Sequence, residues 1–189
     1  MLFSVLKNIL IVLGVILVGV AIWLFVGISR VINTEHEVIA RFHDVVQYYV
    51  SMDQEYVMPL LSASGGLVGG DLEKLQIIDR QMRDLGTTVN ADDQYEKLLM
   101  LQRTIIPFLG SVAFPENFQS SALYQEWSKN CTNLGKASAL IKEYNEVLSL
   151  YNAQITSHAG RLAGFWKRWS HRQYLSIDGS LQEETRVTF

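Results

Sequence analysis

The sequence predicts an all-α protein: a single N-terminal transmembrane helix continuing into an antiparallel bundle of three to four long helices, with an irregular C-terminal tail. Three observations carry this. Residues Ile9 to Ile28 contain no charged side chain. Between Ser120 and Ser157 the large side chains fall in two interleaved sets, each repeating every seven residues. No alternating apolar–polar run and no Asn-Gly turn between apolar runs occurs, so nothing reads as a strand.

The first element is a membrane anchor. Twenty apolar residues at 1.5 Å each cover about 30 Å, the thickness of a bilayer's hydrocarbon core. Trp23, then Ser29 and Arg30, mark the interface at its far end. A cleaved signal peptide would have a shorter apolar core, about 7–15 residues, and a small-x-small site. Val26-Gly27-Ile28-Ser29-Arg30 is a poor site, so the reading is a retained anchor. Lys7 directly before the span leans towards a cytoplasmic N-terminus and an extracytoplasmic main domain, with Arg30 and Arg41 nearly balancing it.

No proline or glycine occurs between Ser29 and Pro59, so the anchor helix is expected to run on into the bundle. Its seam is Val38, Phe42, Val45, Tyr49, Met52 and Tyr56, in steps of four and three. Glu35, Glu37, Arg41, Asp44 and Glu55 form the opposite, solvated face. Pro59 is expected to kink this helix, because it lacks an amide donor and crowds the preceding turn.

The patch Ser62 to Asp71 follows. Gly65 and Gly70 have the spacing of a phosphate-loop pair, but Asp71-Leu72 stand where Lys and Ser or Thr are required. It reads as a kink or a full turn, with Asp71 as N-cap of the next helix. That helix shows Leu75, Ile78, Met82 and Leu85 on one face and ends near Gly86. Asn90 and Asp92-Asp93 open another, with Tyr95, Leu98, Gln102, Ile105, Leu109 and Val112 as seam and Pro107 as a kink. Gly110 and Phe114-Pro115 end it.

Ser120 to Ser157 then reads as one long central helix. One set is Trp127, Leu134, Ile141, Leu148 and Ile155; the other is Leu123, Asn130, Ala137, Tyr144 and Tyr151. Such a seam needs other helices to cover it, and the expected cover is the helix carrying Val45, Tyr49 and Met52. After Ser157 the register is lost at Gly160, Gly164 and Gly179. Trp166, Arg168 and Trp169 in this tail suit a membrane interface, and suit equally a surface segment whose tryptophans pack on the bundle. The organisation is 1–30 tail and anchor, 31–157 bundle, and 158–189 tail.

Composition excludes several functions. At 189 residues the chain holds one domain with a real core. A net charge of −3, with acids and bases mixed, argues against nucleic acid as partner. The single cysteine, Cys131, permits no intrachain disulfide and reads as a small buried apolar side chain rather than a reactive thiol. His36-Glu37 opens a zinc-helix pattern, but Ala40 occupies the second histidine's place. His36 and His43 read as solvated. There is no Gly-x-Ser-x-Gly, and Asp92-Asp93 and Glu183-Glu184 are sequence neighbours that point to different sides of a helix. No catalytic, metal or cofactor-binding residue is assigned.

Tyr144-Asn145 and, seven residues later, Tyr151-Asn152 place two rings on the seam and two amides at its flank. Buried tyrosine hydroxyls need partners, and flanking amides can bridge to a neighbouring helix, which makes a structural role the expectation. The same residues resemble the YN-x5-YN motif of the LemA family of bacterial membrane proteins. Phe114-Pro115 resembles that family's aromatic-Pro step, and Val57-Met58-Pro59-Leu60-Leu61 its Leu-Ile-Pro-x-Leu segment. Gly160-Arg161-Leu162 and Val187-Thr188-Phe189 resemble its tail. The resemblance covers nearly the whole chain but departs at Asp53-Gln54, where the family has a basic pair. It departs also at Asp44, in place of a tryptophan, and at Arg30-Val31, where a Tyr-Asn is usual. It implies a divergent, single-pass helical protein of the bacterial envelope.

The expected function is a membrane-anchored structural or protein-interaction module without catalysis, in the bilayer and with a protein partner or a second copy of itself. No small-molecule substrate is identified. The alternative is an envelope sensor or small-ligand-binding domain, which would need a helix-lined pocket with converging polar groups.

Overall fold

The computed structural model describes residues 2–63, 70–110, 120–131, 135–167, 169 and 172–176. These are helical apart from short connections and the segment 172–176, which has no regular structure, and none is in a strand. The all-α class therefore holds. The chain divides into two compact units, Met1–Val38 with Val147–Arg172, and Ile39–Glu146 with Gln173–Phe189.

Helix α1 (Leu2–Met52) enters the first unit as an apolar rod. It is long and apolar enough to cross a membrane. Its side chains are exposed all round through most of the apolar stretch, with Leu10 at 62%, Val15 at 67% and Phe25 at 71%, and are partly covered at Leu24 and Ile28. Burial starts where the apolar stretch stops: Val31 and Val38 are covered. In the same unit Leu148, Tyr151, Asn152 and Ile155 of α6 (Lys136–Thr156) are buried, and α7 (His158–Lys167) follows.

In the second unit α1 buries Phe42, Val45, Val46, Tyr49 and Met52. It then passes into a π-helical turn, Asp53–Val57, and α2 (Met58–Ala63). The Met58 N–H reaches five residues back to the Asp53 carbonyl. The disturbance expected at Pro59 takes this form, one turn earlier. Proline offers no amide to the carbonyl of Glu55, and a widened turn absorbs the mismatch. The extra residue lets Met52, Asp53, Tyr56, Val57 and Leu60 all turn inward.

Helix α3 (Gly70–Thr87) packs along α4 (Ala91–Gly110) and against the π-turn. Leu75, Ile78, Met82 and Leu85 are fully buried. Asp71 is the second residue of α3, not its N-cap, and the glycine patch from 64 to 69 lies outside the described residues. Asn90 does cap α4: its Oδ1 accepts from the amides of Asp92 at 2.8 Å and Asp93 at 3.3 Å. Lys97 ties this hairpin through Asp84 Oδ2 at 2.8 Å. Helix α4 runs through Pro107 and buries Leu98, Gln102 and Ile105 from its seam, together with Leu99, Leu101 and Phe108.

The long central helix is a correction: the stretch forms two helices, α5 (Ala122–Cys131) and α6. Gly135 stands at the break. A Cβ there would lie 2.5 Å from the Asn130 carbonyl oxygen and closer still to that of Lys129. Gly135 thus sits against the last turn of α5, where no side chain fits. The heptad survives the break because Trp127 is buried before it and Ile141 after it.

The irregular tail is also corrected, since α7 is helical despite Gly160 and Gly164. Ser157 caps it, with Oγ accepting from the Gly160 amide at 3.1 Å and its carbonyl from the Arg161 amide at 2.8 Å.

Candidate functional site

The Tyr-Asn motif lies on α6, a helix with no proline and with its rings on the buried face. Tyr144 is 3% exposed and Tyr151 1% exposed. The asparagines sit one residue further round, at the edge of that face. Their partners are not side chains of a neighbouring helix, as the sequence suggested. They clasp the backbone of the segment 172–175.

In the second unit Asn145 Nδ2 donates to the Leu175 carbonyl at 2.7 Å, and the Leu175 amide donates back to Asn145 Oδ1 at 2.9 Å. In the first unit Asn152 makes the same pair with Arg172, at 3.2 and 3.3 Å. Tyr144 Oη donates to the Gln173 carbonyl at 3.3 Å, and Tyr95 Oη of α4 to that of Tyr174 at 3.0 Å. Every residue from Arg172 to Leu175 is thus held by its main chain.

The spacing of the motif has a geometric reason. Seven residues of helix rise about 10.5 Å, and three residues of extended chain span about 10 Å. Two asparagines seven apart therefore meet two backbone positions three apart, in antiparallel order. A primary amide is suited to this, since it offers a donor and an acceptor side by side, as a β-partner does. These bonds read no side-chain identity. The tail's own anchor is Leu175, fully buried, with Ser176 beside it.

Other polar groups of the second unit are also paired. Gln102 Nε2 donates to Tyr49 Oη at 3.3 Å inside the core. Asn130 Nδ2 donates to Tyr56 Oη at 3.1 Å. Arg41 bridges to Glu143 Oε2 at 3.0 Å on the surface. Cys131 is buried with its Sγ 3.7 Å from Met52 Sδ, and burial pushes its thiol up to about 12. It stays protonated and unreactive at neutral pH.

One ionisable group escaped the sequence reading. Asp53 opens the π-turn and is 4% exposed. Burial, and then the adjacent carboxylate of Asp79, push its carboxyl up to about 6 against the opposing pull of Arg83. Arg83 approaches Asp53 Oδ2 at 3.5 Å and Asp79 Oδ1 at 2.5 Å. The available signal was modest: Asp53 stands four residues beyond Tyr49, in the row that Met52 and Tyr56 flank. Only the widened turn brings it fully inside.

The remaining candidates are placed as follows. Val45, Tyr49, Met52, Trp127, Ile141 and Leu148 are buried. Pro59 is half-buried as the second residue of α2. Trp23 is 50% exposed near the end of the apolar stretch, Trp166 lies within α7, and Trp169 is half-buried. Leu134, Pro115 and Arg168 lie outside the described residues. His36 and His43 are exposed, and among the described residues no group of three or more His, Cys, Asp or Glu side chains could hold a metal. In comparisons with known proteins, no family model matches this chain, nor does any curated protein or solved structure.

Proposed function

We propose that the protein is a membrane-anchored helical module of the bacterial envelope, a divergent LemA-like protein, that acts by structure and protein contact rather than by catalysis. One observation carries this reading: both asparagine amides of the Tyr-Asn motif and the Tyr144 hydroxyl are engaged with the chain's own backbone. A motif that clamps the tail serves architecture, and the bundle then offers its outer surface to a partner or to a second copy. The family resemblance and the exposed apolar stretch of α1 support the envelope setting. The lysine before the span supports an extracytoplasmic main domain.

The test is chemical cross-linking in intact membranes followed by purification of the full chain in mild detergent. A discrete partner or homo-oligomer that survives the clamp-breaking substitution Asn152→Ala in proportion to folded protein supports the reading. Abolished contact with unchanged thermal stability would give the motif a direct binding role instead.

A further inference from the structure

Helix α7 meets α1 at Gly27. A Cβ built on Gly27 would lie 2.5 Å from the Cβ of Ala159, so the two backbones touch there and a side chain at 27 would separate them. Gly27 is the penultimate residue of the uncharged stretch Ile9–Ile28. The contact therefore lies within about 2 Å, along α1, of the end of that stretch. On its other side the chain is tied back to α1 and α6 by Arg172. This residue pairs with Glu35 at 3.7 Å and exchanges backbone hydrogen bonds with Asn152. Glu35 stands eight residues beyond Gly27, about 12 Å further along α1. A headgroup layer is about 5–8 Å deep, so the start of α7 is pinned at its level.

The chemistry of the segment matches that position. From Val147 to Ile177 there is no aspartate or glutamate, while Arg161, Lys167, Arg168 and Arg172 fall within it, in a chain whose net charge is −3. Ala159 and Gly160 face inward, whereas Arg161 is exposed and Leu162 is 58% exposed. A cation beside a bare leucine, next to a membrane span, suits the boundary between lipid headgroups and acyl chains.

We infer that α7 is a membrane-surface helix whose outward face, with Arg161 and Leu162, rests on the headgroup layer of an anionic bilayer. This rests on the anchor reading of Ile9–Ile28.

The experiment uses the full chain in nanodiscs of phosphatidylcholine, alone or mixed with phosphatidylglycerol. Single cysteines at Leu17, Leu162 and Val89 carry a spin label, and buried Cys131 stays unlabelled. Collision with oxygen, which concentrates in lipid, is compared with collision with a water-soluble nickel chelate. The label at 162 is expected to favour oxygen, more so with the anionic lipid, and to lose that excess with Arg161→Glu. Val89, 96% exposed, supplies the aqueous reference. A label at 162 that matches the one at 89 in both lipids, while that at 17 reports hydrocarbon, overturns the surface helix alone. A label at 17 that also reports water overturns the anchor and the surface helix together.

Discussion

Asn145 of α6 and Leu175 of the C-terminal segment exchange two hydrogen bonds, side-chain amide to main-chain amide, at 2.7 and 2.9 Å. Leu175 is fully buried, so neither of its main-chain groups can turn to water when Asn145 is removed. Each buried polar group left unmade costs about 1–3 kcal/mol. Asn145→Ala strands two such groups and is therefore expected to lower stability by about 2–6 kcal/mol in thermal unfolding of the full chain in detergent. Asn145→Asp, which keeps the acceptor and loses the donor, should fall between. An unchanged melting temperature for Asn145→Ala would mean that the tail is not held this way.

The core supplies a second expectation. Ile141 and Leu148 face inward while Glu146, between them, is exposed. Truncation of either apolar residue to Ala should cost about 2–5 kcal/mol. Glu146→Ala should stay within about 0.5 kcal/mol. Equal effects at all three positions would refute the assigned face of α6.

The helical class, the long apolar N-terminal helix and the buried faces of α1, α3 and α4 were legible because length, composition and a 3.6-residue period record them. Phe42, Val45, Tyr49 and Met52 needed only counting. The break at Gly135 was not legible, since a heptad continues through it and only the closeness of the Asn130 carbonyl explains it. Nor was the partner of the Tyr-Asn motif. Asn145 announces a donor and an acceptor, but a backbone partner thirty residues away leaves no mark in side-chain identity. Asp53 shows the third limit: a polar residue on a buried row looks like a surface residue until a widened turn rotates it inward.

A pH dependence follows from Asp53, whose carboxyl is pushed from its ordinary 3.8 up to about 6 by burial and by Asp79. The sign is set by proton uptake. Between about pH 4 and 6 the folded state binds this proton and the unfolded state does not. The contribution is thus fully present below about pH 4 and is lost as pH rises through 6. Asp53→Asn should remove that slope, raising stability relative to the parent at pH 7 by on the order of 1–3 kcal/mol. Melting temperatures of parent and variant from pH 4 to 7.5 decide it. Parallel curves would show that Asp53 does not titrate in this window.

Tyr49 and Gln102 pair inside the core, and Gln102 Oε1 has no partner among the described residues. Tyr49→Phe alone should cost about 1–3 kcal/mol, because it strands the amide donor as well. Replacement of both, Tyr49→Phe with Gln102→Met, should recover most of that loss or exceed the parent. A double variant as unstable as the sum of the singles would show that the pair does more than satisfy itself.

Gly135 distinguishes a broken from a continuous central helix by the sign of a single substitution. In an unbroken helix, Gly135→Ala would stabilise by about 1 kcal/mol, since alanine has the better helix propensity. In the fold described here the new Cβ would meet the Asn130 carbonyl oxygen at 2.5 Å and its Cα at 2.6 Å, with the Lys129 carbonyl nearer still. All of these atoms are main chain, so they yield only if the turn between α5 and α6 opens. The expected result is a loss of about 2–3 kcal/mol, in the range of overpacked interiors. Gly19→Ala is the matched control, with nothing within 4 Å of its added methyl. Thermal unfolding of both variants in the same detergent should leave Gly19→Ala, inside the unbroken α1, at the parent value or up to about 1 kcal/mol above it, and displace Gly135→Ala downward. An upward shift at 135 would restore the single long helix and remove the turn.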